Sequence, residues 1–149
     1  MDSEKFQKVM EYADKHLMLG EEASLDEMVG RLARMPALWQ QFSRTGFDIA
    51  NELSDLLIQK DSLRGELMID LKTNPGKSSL PMYQVSLKTK EDYENQLHAY
   101  KQWNELMKAI AVVEAQANHM KTILEGVRQF GYTLKDLIAI KKLQAGIMA

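Results

Sequence analysis

Apolar residues recur every three or four positions along most of this chain, which is the spacing of amphipathic helices. The first predicted helix covers residues 3–19 and ends at Gly20. The next begins at a capping box, residues 24–27, and runs to about Arg34. We therefore assign residues 1–34 to a helical N-terminal extension, which is also acidic.

A long helix is predicted from Pro36 to about Arg64, because proline is tolerated in the first turn of a helix. Gly46 is a weak point within it. Core-type positions then follow at alternating intervals of four and three residues, which is heptad spacing: Ile49, Leu53, Leu56, Lys60, Leu63 and Leu67. Lys60 is the charged member of this series. It weakens the core, and it either specifies register or extends its ammonium group to water.

The period then changes from helical to alternating. Apolar residues alternate over 67–71 and again over 83–87, on either side of a turn at residues 73–79. Two alternating runs around a turn predict a small β-hairpin. The alternative is that the helix continues to Lys72 and that residues 73–88 form a loop.

Thr89 has the position of an N-cap for the next predicted helix. We expect this helix to run from Lys90 to about Gln129, roughly 60 Å at 1.5 Å per residue. That length exceeds the diameter of a compact domain of this size. The fold class expected is therefore mainly α, with elongated long-helix subunits that self-assemble to cover their remaining apolar surface.

A last helix is predicted over residues 131–146. Gly131 is expected to end the preceding helix, and Thr133 and Asp136 have the spacing of a capping box. Apolar residues cover more of this helix than the stripe of about 100° that a surface helix needs. They are Leu134, Leu137, Ile138, Ile140, Leu143 and Ile147. We expect this oligomerisation helix to contact both its own chain and another subunit; the alternative is burial within its own core.

Composition narrows the class of protein. With 149 residues, of which 45% are hydrophobic, the chain is one globular domain or a domain (residues 35–149) with its extension. The absence of cysteine excludes a disulfide framework and cysteine-bearing zinc sites. The first residues do not have the pattern of a signal peptide, and no run approaches the roughly 18 apolar residues of a membrane span. We expect a cytoplasmic protein.

The net charge of the chain is −2, but charge is unevenly distributed along it. Acidic residues are in excess over residues 1–31, and basic residues are in excess over residues 77–149. Lys121, Arg128, Lys135 and Lys142 lie seven residues apart. Such a stripe either follows a phosphodiester backbone or is a solvated helix face. A second basic group surrounds the predicted hairpin: Lys60, Arg64, Lys72 and Lys77. Tyr83 and Tyr93 are candidates for base stacking near it.

No pattern of catalytic residues is present. The histidines His16, His98 and His119 lack partners at metal-ligand spacing. The Gly-Lys-Ser at residues 76–78 lacks the glycine that a phosphate-binding loop has five positions earlier, where Leu71 stands. We therefore expect no enzymatic activity, no metal and no cofactor.

The stretch Gly131-Tyr-Thr-Leu-Lys-Asp-Leu-Ile-Ala-Ile-Lys-Lys-Leu-Gln-Ala-Gly146 resembles the C-terminal segment of the UvsY family, the recombination mediators of T-even phages. The likeness is ungapped and includes the glycine–aromatic pair, Leu137, Ile140 and the closing Ala-Gly. Residues 35–130 resemble the family in the order and character of their segments. Residues 1–34 have no counterpart.

The resemblance implies a ring-shaped homo-oligomer, assembled by the C-terminal helix, that binds single-stranded DNA. It implies a role in DNA recombination and repair, in which the protein loads a RecA-like recombinase onto DNA covered by single-strand binding protein. The family's DNA contact has two basic residues, two positions apart and followed by leucine. Arg64 matches the first, but Glu66 replaces the second, and Lys60, Lys72 and Lys77 are candidates to compensate.

A second interpretation is a self-assembling helical protein, such as a phage structural or adaptor subunit, that binds no nucleic acid. The heptad spacing and the broad apolar face of the last helix agree with it equally well. What distinguishes the two is whether Lys60, Arg64, Lys72 and Lys77 meet on one surface.

Overall fold

The computed structural model describes residues 1–20, 22–73 and 89–146. All regular structure within these ranges is helical. The helices are α1 (Ser3–His16), α2 (Leu25–Thr73), α3 (Lys90–Leu97) and α4 (Lys101–Gln144). The chain divides into two compact units, which are described separately: unit 1 is Met1–Ala50 with Ala115–Ala149, and unit 2 is Asn51–Glu114.

Both helices at the start of unit 1 begin at side-chain caps. The Asp2 carboxylate accepts a hydrogen bond from the Glu4 amide at 3.1 Å, and Ser24 Oγ accepts one from the Glu27 amide at 3.1 Å. The capping serine of the predicted box is thus confirmed. α1 ends at His16, earlier than the end predicted at Gly20, and the Arg31 guanidinium donates to the carbonyl oxygens of His16 and Met18.

α2 is one helix where the sequence predicts two, since it passes through both Pro36 and Gly46. The proline removes one backbone donor, yet the buried positions continue at intervals of seven on either side of it: Met28, Met35, Phe42 and Ile49. Packing of this continuous face outweighs the local cost of the proline. The predicted end of a helix near Arg34 is therefore wrong.

The core of unit 1 forms where α2 and α4 run antiparallel. Gly46 lies against Met120, and Gly131 lies against Met35. The buried α4 residues also recur every seven positions, at Met120, Val127 and Leu134. α1 adds Phe6 and Ala13 to the buried set. A repeat of seven residues in both partners keeps one apolar face of each helix directed toward the other.

The predicted helix end at Gly131 is wrong, because α4 continues through it to Gln144. Glycine permits a left-handed conformation but does not require one. Here the buried series continues from Val127 to Leu134 across Gly131, so Thr133 lies inside the helix and is not an N-cap. Among the described residues, the glycine with positive φ is Gly146, at 72°.

In unit 2 the first predicted strand is also wrong, because residues 67–71 are the end of α2. Leu67 and Leu71 are buried one turn apart, whereas Ile69 is 64% exposed. The alternative, a helix continuing to Lys72, is confirmed. The second predicted strand, residues 83–87, lies outside the described residues.

The helix predicted over 90–129 is interrupted, which is a further correction. Its start is confirmed, since Thr89 and Asp92 form a complete capping box. α3 then ends at Leu97, and the Asn104 side chain donates to the His98 carbonyl oxygen at 2.6 Å. Neither glycine nor proline marks this turn. It brings Leu97 and Tyr100 into one buried cluster with residues of α2.

Candidate nucleic-acid interface

An open groove of about 440 Å³ lies between the end of α2 and the start of α3, within unit 2. Its α2 wall carries Arg64 and Lys72, and its α3 wall carries Lys90 and Tyr93. The remaining lining residues are Gly65, Met68 and Thr89. Arg64, Met68 and Lys72 are successively four apart, so each lies about one helical turn beyond the last on neighbouring parts of the surface.

A buried cluster supports the groove from below. It contains Leu67, Leu71, Leu97, Tyr100 and Trp103. Met68 and Tyr93 belong to both structures, since they line the groove and pack against this cluster. The Tyr93 ring is thereby held in place by apolar contacts beneath it, as expected of a stacking platform.

A hydrogen bond across the helices fixes the same cluster. The Tyr100 hydroxyl donates to Asp70 Oδ2 at 2.7 Å. Burial and then this carboxylate raise the pKa of Tyr100 well above its ordinary value. The phenol therefore remains a neutral donor at physiological pH and connects α2 to the residue that precedes α4.

The three cations of the groove have different surroundings. Arg64 Nη2 lies 2.5 Å from Glu94 Oε1, in a pair whose side chains are 38% and 45% exposed. Lys72 Nζ lies 5.5 Å from the centroid of the Tyr93 ring, within cation–π range. Lys90 is exposed beside the Thr89 cap. Within the part of the chain that the structure describes, Arg64 is the groove cation that forms an ion pair with a carboxylate.

The structure brings together two of the four residues predicted to contact nucleic acid. Arg64 and Lys72 share the groove, whereas Lys60 is half-buried one turn before Arg64 and does not line it. Lys77 lies outside the described residues. Glu66, which departs from the family pattern, is exposed and is not a lining residue either.

The sequence analysis does not predict Lys90 or Glu94 as residues of this site. Both follow the cap at Thr89, and the charge of Lys90 is visible in the sequence. However, its neighbours in the groove, Arg64 and Lys72, precede it by 26 and 18 residues. These separations are longer than any local sequence pattern, so the sequence alone does not predict the pairing of α3 with α2.

The residues predicted for oligomerisation lie on α4 in unit 1, and they divide into two groups. Leu134 and Ile138 are buried, and Leu137 is half-buried. Ile140 and Leu143 are 49% and 60% exposed. The apolar face is therefore broader than the part that the chain itself covers.

The basic stripe Lys121, Arg128, Lys135 and Lys142 lies on one uninterrupted helix, because α4 has no break at Gly131. All four side chains are exposed. Arg128 pairs with Glu125 at 2.9 Å, and Lys135 Nζ lies 5.8 Å from the centroid of the Tyr132 ring.

No family model, curated protein or solved structure matches this chain. None of the helices in the described ranges is long and apolar enough to cross a membrane. The described residues also contain no group of three histidines or carboxylates that could hold a metal ion. His16 and His119 instead contact the rings of Tyr12 and Phe6.

Proposed function

We propose that this protein binds single-stranded DNA in the groove between α2 and α3 and acts as a recombination mediator. The observation that carries the proposal is the meeting of Arg64, Lys72 and Lys90 around the supported ring of Tyr93. Cations that follow a phosphate backbone beside an aromatic ring are the usual components of single-strand binding without sequence preference.

In this arrangement a base stacks on Tyr93 while phosphates contact the surrounding cations. Stacking displaces Lys72 from the ring, and its ammonium group then contacts the adjoining phosphate. A groove with three cations binds weakly alone, because each neutralised phosphate contributes a modest term that salt screens. Tight binding therefore needs several copies of the groove, as a ring-like homo-oligomer supplies.

The mediator role is supported by the resemblance of residues 131–146 to the UvsY family. On that basis the partners are single-stranded DNA, a RecA-like recombinase and the single-strand binding protein that the recombinase replaces. Glu66 stands where the family has its second base. In our proposal Lys72 and Lys90 supply the missing positive charge from the two walls of the groove.

The test is fluorescence anisotropy of a labelled oligothymidylate, titrated with the full chain at low and near-physiological salt. We expect binding that weakens steeply as salt rises. Arg64→Ala and Lys72→Ala are each expected to weaken it about 3–10-fold at low salt and to reduce the salt slope by about one.

Lys101→Ala is the matched control, because it removes one positive charge from unit 2 at a side chain that is 90% exposed and lies outside the groove. Its affinity should stay within about twofold of the wild type, as for an uninvolved surface charge. An oligonucleotide that fails to bind at low salt, or equal effects of all three substitutions, would contradict the proposed site.

The second candidate is a self-assembling helical protein, such as a phage structural or adaptor subunit, with no nucleic-acid role. The exposed Ile140 and Leu143 on α4 favour it, since they support self-association whether or not DNA is bound. Assembly without any oligothymidylate binding at low salt would favour this candidate.

A further inference from the structure

A second groove, of about 520 Å³, lies between α2 and α4 within unit 1. Its floor and walls are mostly apolar: Leu32, Met35, Pro36, Trp39, Val127, Gly131 and Tyr132. Gly131 deepens it, because the nearest atom to a Cβ at that position is Met35 Cγ, 4.0 Å away. The proposed DNA groove has no part in this site, and the inference stands independently of it.

Two large aromatic side chains remain accessible in this groove. Trp39 is 44% exposed and Tyr132 is 53% exposed, although buried apolar residues lie directly beside them. Single exposed apolar residues are common, but a contiguous apolar concavity with accessible aromatic rings marks an interaction site.

The edge of the groove on α4 is positively charged. Arg128 and Lys135 lie seven residues apart, so they project from the same side of the helix at a spacing of about 10.5 Å. Glu125 accepts hydrogen bonds from both Gln129 and Arg128, each at 2.9 Å. If Arg128 pairs with a different carboxylate, Glu125 therefore keeps its hydrogen bond from Gln129.

We propose that this groove binds an acidic amphipathic helix of a partner protein. Aliphatic side chains of the partner fill the space above Met35 and Val127, between Trp39 and Tyr132. Carboxylates two turns apart on its flank pair with Arg128 and Lys135. This is helix-in-groove recognition, with orientation given by charge complementarity at the edge.

The lining favours a peptide over a nucleic acid. Leu32, Met35 and Val127 offer aliphatic surface, which suits leucine or methionine side chains better than flat bases. Lys135 lies over the ring of Tyr132 at 5.8 Å and supplies a positive charge for a carboxylate of the partner.

The test uses the full chain and a synthetic peptide probe of about 16 residues, long enough to form a helix on binding. The probe has leucine at helical spacing and glutamate at its other positions. A matched probe replaces each glutamate by lysine. The emission of Trp39 reports occupancy of the groove, and we expect the glutamate probe to shift it toward the blue. Trp39→Phe should abolish the shift, since the second tryptophan, Trp103, is buried in unit 2.

Charge reversal supplies the second arm. Arg128→Glu with Lys135→Glu should weaken the glutamate probe at least tenfold. Lys121→Glu with Lys142→Glu is the control, because it makes the same change in net charge on the same exposed stripe outside the groove. The affinity of the control variant for the glutamate probe should stay within about twofold of the wild-type affinity. Circular dichroism of both variants should match the wild type, since all four side chains lie at the surface.

Three results would overturn the proposal. The first is equal binding of the lysine and glutamate probes, or equal loss from the two double variants. The second is a Trp39 shift produced by oligothymidylate at the same site, which would assign the groove to nucleic acid. The third is a Trp39 shift that follows protein concentration without any probe, which would assign the groove to a second copy of the chain.

Discussion

At the scale of single residues, the contact that most affects the proposed DNA site is the pair of Arg64 and Glu94. The two residues are 30 positions apart in the sequence, on α2 and α3, and their side chains meet at 2.5 Å. A phosphate that binds Arg64 must compete with this carboxylate, which also repels it. Such a half-exposed pair contributes little to stability, so its main effect falls on binding.

Glu94→Gln is therefore expected to strengthen oligothymidylate binding about 3–10-fold at low salt, corresponding to roughly 1 kcal/mol. The neutral amide keeps the shape of the side chain and can still accept a hydrogen bond, but it lacks the negative charge that attracts Arg64 and repels phosphate. Anisotropy titrations at two salt concentrations measure the change, and the gain should shrink as salt rises.

Glu105→Gln is the control for this substitution. Glu105 pairs with Lys101 in the same unit, at 3.6 Å, but does not line the groove. Its replacement removes the same charge and should leave the affinity almost unchanged. Equal gains from both variants would indicate a general electrostatic effect and not release of Arg64.

The residue scale also shows what the sequence reveals and what it hides. The sequence alone identifies two basic residues and one aromatic residue near a predicted turn as candidates: Arg64, Lys72 and Tyr93. Glu94 and Lys90 gain their importance from contacts across the two helices. Residue type identifies candidates, but pairing distances depend on how α3 returns to α2.

At the scale of helices, glycine is an unreliable predictor of where a helix ends. The sequence predicts a helix end at Gly131 and a weak point at Gly46, yet both lie inside continuous helices against partner side chains. Apolar periodicity on both sides of a glycine is the better guide. Conversely, the break after Leu97 has no glycine or proline and arises from tertiary packing, so no local signal predicts it.

Gly131→Ala tests the continuity of α4 directly. In a helix, alanine is favoured over glycine by about 0.5–1 kcal/mol, and a Cβ at this position has an ordinary contact with Met35 Cγ at 4.0 Å. We expect the melting temperature to rise by about 1–4 °C, measured by circular dichroism.

Gly146→Ala is the opposite case, because φ at Gly146 is 72° and a Cβ is strained there. This variant should melt no higher than the wild type. If Gly131 ended a helix in the left-handed conformation, as the sequence predicts, its substitution would lower the melting temperature instead.

At the scale of the whole molecule, we predict self-assembly from the part of the α4 apolar face that remains exposed. Leu134 and Ile138 are committed to the core of unit 1, whereas Ile140 and Leu143 remain accessible. The sequence indicated a face broader than one neighbour covers. It could not say which residues the chain itself would use, because that depends on the register of α4 against α2.

Ile140→Asp is expected to shift the protein to smaller species in sedimentation velocity. Removing a buried isoleucine from each interface loses about 1.5–3 kcal/mol of apolar burial, and the unpaired carboxylate adds to the loss. Affinity between subunits should fall by more than tenfold. Because Ile140 is 49% exposed in the single chain, the monomer should remain folded.

Val112→Asp is matched in exposure, at 49%, and lies on the same helix within unit 2. It should leave the sedimentation profile unchanged. Oligomers that survive both Ile140→Asp and Leu143→Asp would contradict the assignment of this face to assembly. Leu137→Asp is less informative, because its half-buried side chain also supports the fold.

The division of the chain into units has a consequence for how it acquires its structure. Unit 2 is one continuous segment, whereas unit 1 joins the first 50 residues to the last 35. Contacts within unit 2 therefore have the shorter sequence separation, and loop closure costs them less entropy. During synthesis, unit 2 is complete before the end of α4 emerges from the ribosome. Until then Met35 and Gly46 lack their α4 neighbours, Gly131 and Met120. This interval is when the nascent chain most needs protection from aggregation.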